Sequence, residues 1–158
     1  MNILVLCTGN SARSILLECL LRRLGEGRIS SFSAGSQPAG QVHPQSIRLL
    51  DAEGFDTAPL ASKSWDVFAA PEAPAMDAVI TVCGSAAEET CPIWPGVPVR
   101  AHWGVEDPAA VTGDAAPAAF RDAFDLLRRR AEAFLAAPVE EMDSAALKQH
   151  LDACGRLP

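Results

Sequence analysis

The segment Cys7-Thr8-Gly9-Asn10-Ser11-Ala12-Arg13-Ser14 sets a thiol six residues before a guanidinium, with hydroxyls and a Gly-Asn step between them. These residue types suit capture of a tetrahedral oxyanion followed by nucleophilic attack. Gly9 and Asn10 tolerate the positive φ angles that turn successive N–H groups inward as an anion nest. Arg13 offers a planar fork for two oxygens of the anion. In that field the Cys7 thiol is expected to ionise well below its free value of about 8.5. Ser14 can donate a hydrogen bond to the resulting thiolate, the nucleophile this chemistry requires. The catalytic candidates here are therefore Cys7, Arg13 and Ser14, and the anion-binding candidates are Thr8, Gly9, Asn10, Ser11, Ala12 and Arg13. A Cys-x5-Arg spacing also arises by chance around a buried cysteine in a turn, so its weight comes from the elements on either side.

A second set of reactive residues lies further along the chain. Cys83 and Cys91 are open to three readings: two core thiols, half of a zinc site, or a relay of redox thiols. Zinc needs about four ligands at close characteristic spacing, and the available His43, His102 and His150 are scattered, so no metal site is expected. Cys83 closes an apolar run, a common place for a core thiol. Cys91 lies beyond the polar stretch Gly-Ser-Ala-Ala-Glu-Glu-Thr, which suits a moving thiol better than a packed one. Asp107 stands before Pro108 and offers a carboxyl that could protonate a leaving oxygen, although Asp-Pro is also ordinary turn chemistry.

The elements that must hold these groups follow from periodicity. Ile3 to Leu6 is a continuous apolar run ending at Cys7, as expected of a buried parallel strand. A helix is predicted from Ala12 to Leu24, apolar around most of its girth and stopped by Gly25. A second strand is predicted over Ile29–Ala34 and ends at Gly35. A second helix is predicted over Pro44–Glu53 and ends at Gly54. Further strands are predicted over Asp77–Val82 and Val97–Ala101, and a long helix over Ala118–Leu135 stops before Pro138. Strands alternating with helical segments imply right-handed crossovers. The resulting fold class is α/β: three layers, α/β/α, around a four-stranded parallel sheet. Ligands of such sheets sit beyond the carboxyl ends of the strands. Cys7 follows the first strand and Cys83 the third, so both thiols belong to one rim.

Composition narrows the field further. The chain has 158 residues, 49% of them hydrophobic, with 13 Lys+Arg against 20 Asp+Glu and a net charge of −7. That balance argues against a nucleic-acid partner, and apolar runs of only a few residues argue against a membrane span. The start of the chain carries no secretory pattern, so a cytoplasmic setting is expected, with five reduced cysteines rather than a disulfide scaffold. Cys19 reads as a small core residue and Cys154 as a bystander. Trp65, Trp94 and Trp103 read as packing residues, with Trp94 also placed to help dock a partner near Cys91. Glu18, Ser33 and Asn10 are candidates to hold the first loop in shape, through hydrogen bonds or a monovalent cation.

Taken together, Val5–Ser14, Ser33-Ala34-Gly35, Val82-Cys83, Cys91-Pro92 and His102-Trp-Gly-Val-Glu-Asp107-Pro108 resemble the low-molecular-weight protein tyrosine phosphatase fold and specifically its arsenate reductase branch. The resemblance spans about residues 2–136. It implies that Cys7 attacks arsenate, that Cys83 attacks the Cys7–arsenic adduct and releases arsenite, and that Cys91 resolves to a Cys83–Cys91 disulfide. Asp107 would be the proton donor. The resemblance implies no tightly bound cofactor, only an external thiol reductant: thioredoxin, or glutaredoxin with glutathione. Phosphatases of this fold follow Asp-Pro with tyrosines that grip an aryl ring; here Ala109-Ala110 follow, and the chain has no tyrosine. Two alternatives stay open, a tyrosine phosphatase and a non-enzymatic oxyanion-binding redox sensor. Residues 1–137 are expected to form the reductase-like domain and 138–158 a C-terminal helical tail.

Overall fold

A computed structural model describes residues 1–84 and 94–158; Cys91, the expected resolving thiol, lies outside the described residues. The first strand, β1 (Asn2–Cys7), is buried along nearly its whole length. It runs into α1 (Arg13–Leu24), which buries a continuous stretch from Ser14 to Leu21, as a helix apolar around its girth must. Gly25 closes α1 at φ −102, so it is not there for left-handed backbone. A Cβ at that position would meet the Leu21 carbonyl oxygen at 2.8 Å and the Ile29 side chain, and the glycine allows the chain to double back.

The strand β2 (Ser30–Gly35) and the helix α2 (Pro44–Ala52) follow. A single 3-10 turn, Trp65–Phe68, comes before β3 (Ala78–Thr81). The strand β4 (Val99–His102) starts two residues later than its sequence suggests. Gly96 at φ 98 and Val97 at φ 49 place a turn there, and β-propensity at Val97 yields to it. The long helix α3 (Ala116–Leu135) begins earlier than expected because Pro117 seeds its first turn. Last comes α4 (Ser144–Gly155), capped by Asp143, whose carboxylate accepts from the Ala146 N–H at 2.8 Å.

The four strands form one parallel sheet in the order β2-β1-β3-β4. Alternation along β1 sorts the core. Ile3, Val5 and Cys7 face a large apolar cluster with residues of α1, α2, α3 and α4, including Leu50, Phe124, Phe134 and Leu151. Leu4 and Leu6 face a smaller one built from Phe68, Met76, Val79 and Trp94. Trp94 is 2% exposed, edge-on to Trp65 and beneath the Arg100 guanidinium. It is therefore a packing residue, and the docking role allowed by its sequence neighbourhood is lost to burial. Among the described residues, no helix is long and apolar enough to cross a membrane.

Candidate active site

The loop from Cys7 to Ser14 joins the carboxyl end of β1 to the amino end of α1. Three of its carbonyls are engaged from outside. The Thr8 carbonyl accepts from the Gln37 N–H at 3.0 Å, the Gly9 carbonyl from the Ala39 N–H and the Ser62 hydroxyl at 2.9 Å, and the Ser11 carbonyl from the His43 N–H and the Ser46 hydroxyl. Among the described residues, none of the Gly9–Ala12 amides donates a backbone hydrogen bond. Ala12, the cap residue of α1, offers no side-chain acceptor, so the helix meets the loop with its first N–H groups unspent. This is the donor pattern of an anion site. Of the two residues expected to relax the turn, only Asn10 sits at positive φ, 47.

Asn10 is fully buried. Its amide donates to the Ser14 hydroxyl at 2.8 Å and the Ser33 hydroxyl at 2.9 Å, and its carbonyl accepts from the Lys63 N–H at 3.0 Å. Ser33 in turn donates to Glu18 at 2.5 Å. The Glu18 carboxylate is buried and meets Arg22 at 3.0 Å and the Lys63 ammonium at 3.9 Å. Two side-chain cations thus lie beside this carboxylate. Burial lowers the Lys63 pKa, against the opposing pull of Glu18. Sequence reasoning misses Lys63, although one of only two lysines in an arginine-rich chain is the available signal. Gly35 enters that reasoning only as part of a motif. Its role is spatial: a Cβ there would collide with the Thr8 carbonyl and crowd the Asn10 N–H at 3.1 Å.

Arg13 reaches across the rim. One terminal nitrogen donates to the Val105 carbonyl at 2.9 Å, and the other lies 3.6 Å from the Asp107 carboxylate. Its Nε is buried without a hydrogen-bond partner among the described residues. Asp107 also caps the turn that follows it, accepting from the Ala109 N–H at 3.0 Å. The turn cap and the approach to Arg13 thus coexist in one carboxylate.

Cys7 and Cys83 come together. Each is buried, 5% exposed, and a hydrogen bond links their sulfurs; the Thr8 hydroxyl lies 3.4 Å from the Cys83 sulfur. The expected low thiol pKa is not what this arrangement gives. The bond to Cys83 and burial both push the Cys7 pKa up, opposed by the Arg13 charge and the Thr8 N–H. Once one proton has left, the two facing sulfurs share the other, and losing it costs more. The Ser14 hydroxyl is fully buried and accepts from Asn10. Cys19 lies in the core with its thiol pushed up to about 12, chiefly by burial. Cys154 is buried in α4, 3.8 Å from His150.

Residues 2–149 match the family model for low molecular weight phosphotyrosine protein phosphatase. A curated arsenate reductase of Halalkalibacterium halodurans is 34% identical over 131 residues, 82% of this chain and 91% of that protein. A solved structure described as an arsenate reductase in the phosphate binding state superposes with a TM-score of 0.70 at 26% identity, covering 85% of this chain and 96% of that one. A thioredoxin-dependent arsenate reductase of Corynebacterium glutamicum superposes with a TM-score of 0.57 at 27% identity, covering 80% of this chain but 58% of that one.

Proposed function

This chain belongs to the low molecular weight phosphotyrosine protein phosphatase family, and from that premise we propose that it is an arsenate reductase working through cysteine thiols. The observation that carries this reading over plain phosphatase activity is the hydrogen-bonded pair Cys7 and Cys83 at the mouth of an anion loop. A phosphatase needs one nucleophilic sulfur; a two-electron reduction needs a second sulfur within reach.

In the proposed cycle the loop amides and Arg13 bind arsenate, and the Cys7 sulfur displaces one oxygen from arsenic. Asp107 protonates that oxygen as it leaves as water. Cys83 then attacks the Cys7 sulfur. The sulfur–arsenic bond breaks with its electron pair left on arsenic, which departs as arsenite, and a Cys7–Cys83 disulfide remains. Cys91 attacks Cys83, freeing Cys7 and leaving Cys83–Cys91 for an external reductant. Ser14, Thr8 and Asn10 shape the loop. Residues 1–137 carry this chemistry, and 138–158 form a tail attached to it. A thioredoxin-type donor is the favoured reductant, supported by the donor of the Corynebacterium glutamicum relative, with glutaredoxin and glutathione as the competing source. A cytoplasmic, thiol-reducing setting suits the cycle.

The test is arsenate-dependent NADPH oxidation with thioredoxin and its reductase in one arm and glutaredoxin with glutathione in the other. Turnover in the first arm supports the proposal, and turnover in neither overturns it. The same loop accepts phosphate, so slow aryl phosphate hydrolysis is expected. If hydrolysis of an aryl phosphate exceeded arsenate reduction in kcat/KM, the phosphatase reading would replace this one.

A further inference from the structure

The edge strand β4 leads directly into the segment Gly104–Asp107, which carries the Val105 carbonyl that holds Arg13 and the Asp107 carboxylate. The stretch from Arg100 to Gly104 is held by the C-terminal segment and by α3. The Lys148 ammonium donates to the Arg100 carbonyl at 2.7 Å, and the buried Trp103 indole donates to the Leu151 carbonyl at 2.9 Å. Gly155 lies so close that a Cβ there would sit 2.5 Å from the Trp103 ring and 2.9 Å from the His102 carbonyl oxygen. The last of these contacts runs through Arg130 of α3, only 7% exposed. Its Nε donates to the Leu157 carbonyl at 2.9 Å and a terminal nitrogen to the Gly104 carbonyl at 3.2 Å.

Arg130 is unusual among the buried charges of this protein. Among the described residues it pairs with no carboxylate; two backbone carbonyls satisfy it, one from each segment that it joins. A buried cation is costly to hold without a countercharge, and a packing role alone would be met by an apolar side chain. Gly104 immediately precedes Val105, so a shift at the Arg130 contact is passed within one residue to the carbonyl that orients the Arg13 fork. Arg130 therefore works at the back of the loop whose front meets Arg13.

We propose that Arg130, with the C-terminal helix it anchors, is a positioning device that fixes the Gly104–Asp107 segment against Arg13. The proposal rests on the roles given above to Arg13 and Asp107. It assigns the tail a part in the reaction: the tail clamps the edge strand so that the guanidinium fork and the proton donor keep their relative register.

The experiment uses the full chain with Arg130→Met, Arg130→Lys, Gly155→Ala and, as a control, Arg129→Met. The control removes a 3.1 Å bond to the Pro158 carbonyl but does not touch Gly104. Three quantities are measured: Tm, the phosphate concentration that half-protects Cys7 from iodoacetamide (followed by mass spectrometry), and arsenate turnover. Arg130→Met is expected to weaken protection and lower turnover by roughly 10- to 100-fold, the scale of a small misplacement transmitted from outside the site. Gly155→Ala should move both readouts in the same direction with Arg130 intact. Arg130→Lys should recover most of the loss, and Arg129→Met should shift Tm alone. If Arg130→Met fails to fold, Gly155→Ala and Arg130→Lys decide the matter. Wild-type protection and turnover in both Arg130→Met and Gly155→Ala, with only Tm lowered, would overturn the proposal. So would the absence of phosphate protection in the wild type. If the wild type binds phosphate but does not reduce arsenate, the reductase reading falls, and the protection series still tests the positioning role.

Discussion

The two loops that meet at Arg13 are held in opposite ways. The Cys7–Ser14 loop is enclosed: Asn10 and Ser14 are fully buried, and its carbonyls are pinned by amides and hydroxyls from residues 37 to 62. The Gly104–Asp107 segment is held by guanidinium groups on two of its carbonyls and by the Val105 N–H on the Val82 carbonyl, and its Asp107 side chain stays 44% exposed at 3.6 Å from Arg13. A rigid cradle costs no reorganisation when the anion arrives. In the proposed cycle Asp107 gives up a proton that water must replace at each turnover, a task that full enclosure would obstruct. Binding and stability should therefore be concentrated in the first loop, and turnover without stability in the second.

The largest break in this contrast is Cys7→Ser. The hydroxyl that replaces the thiol stays protonated near neutral pH and attacks poorly. Arsenate turnover should fall by at least about 10³-fold while the Tm barely moves, and coupled NADPH oxidation with a thermal melt measures both. Asp107→Asn comes next. Loss of a general acid predicts a fall in kcat of about 10²-fold. Phosphate protection of Cys7 should stay within a few-fold of wild type, because the loop amides and Arg13 remain. If Asp107→Asn weakened anion binding more than turnover, the division of labour between the loops would be wrong.

Asn10→Ala attacks the cradle itself. It strands the Ser14 hydroxyl and the Lys63 N–H, leaves Ser33 with its bond to Glu18 alone, and puts alanine at φ 47. Each stranded buried group costs about 1–3 kcal/mol, so unfolding in denaturant should show a loss of at least about 2 kcal/mol. Turnover should fall about tenfold, with KM carrying most of the change. This is the reverse of Asp107→Asn, and steady-state kinetics on the two variants would show the contrast side by side.

Much of the first loop is legible in the amino-acid sequence. The apolar run before Cys7 and the helix from Arg13 are local signals realised within a residue of where periodicity puts them, and of the Gly-Asn step Asn10 takes the expected positive φ. Of the groups that hold the loop, Asn10, Ser33 and Glu18 are legible and form a hydrogen-bonded chain; others are not, because they are remote in sequence. Ser62 and Lys63 come from a stretch without periodicity, and Gly35 matters only because the Thr8 carbonyl passes it. The acid loop shows the opposite pattern. Asp107-Pro108 reads as a turn from composition, and it is a turn; the proton-donor role proposed for it draws on Arg13, distant in the chain, lying beside it. The thiol pKa departs from its expected direction for the same reason. Arg13 and the helix end are visible in the local sequence, whereas the partner that raises Cys7 arrives from the end of β3.

That departure yields the finest test. The largest cause raising the Cys7 pKa is its hydrogen bond with Cys83, ahead of burial, while Arg13 and the Thr8 N–H pull it down. Cys83→Ala removes the first cause and keeps both lowering ones, so the Cys7 pKa should drop. The rate of Cys7 alkylation by iodoacetamide, followed against pH, should show its midpoint move to lower pH, with a several-fold faster rate near neutrality even though turnover is lost. Stability should follow the same sign. A thiol whose pKa is higher folded than unfolded binds more protons in the native state, so its contribution is complete below the unfolded value, about 9, and fades as pH rises past it. The wild type should lose stability from about pH 9 upward, and Cys83→Ala should lose less over that range, with Cys19 contributing equally to both. An alkylation midpoint that stays put or rises in Cys83→Ala would mean that burial, and not the facing sulfur, holds the proton on Cys7.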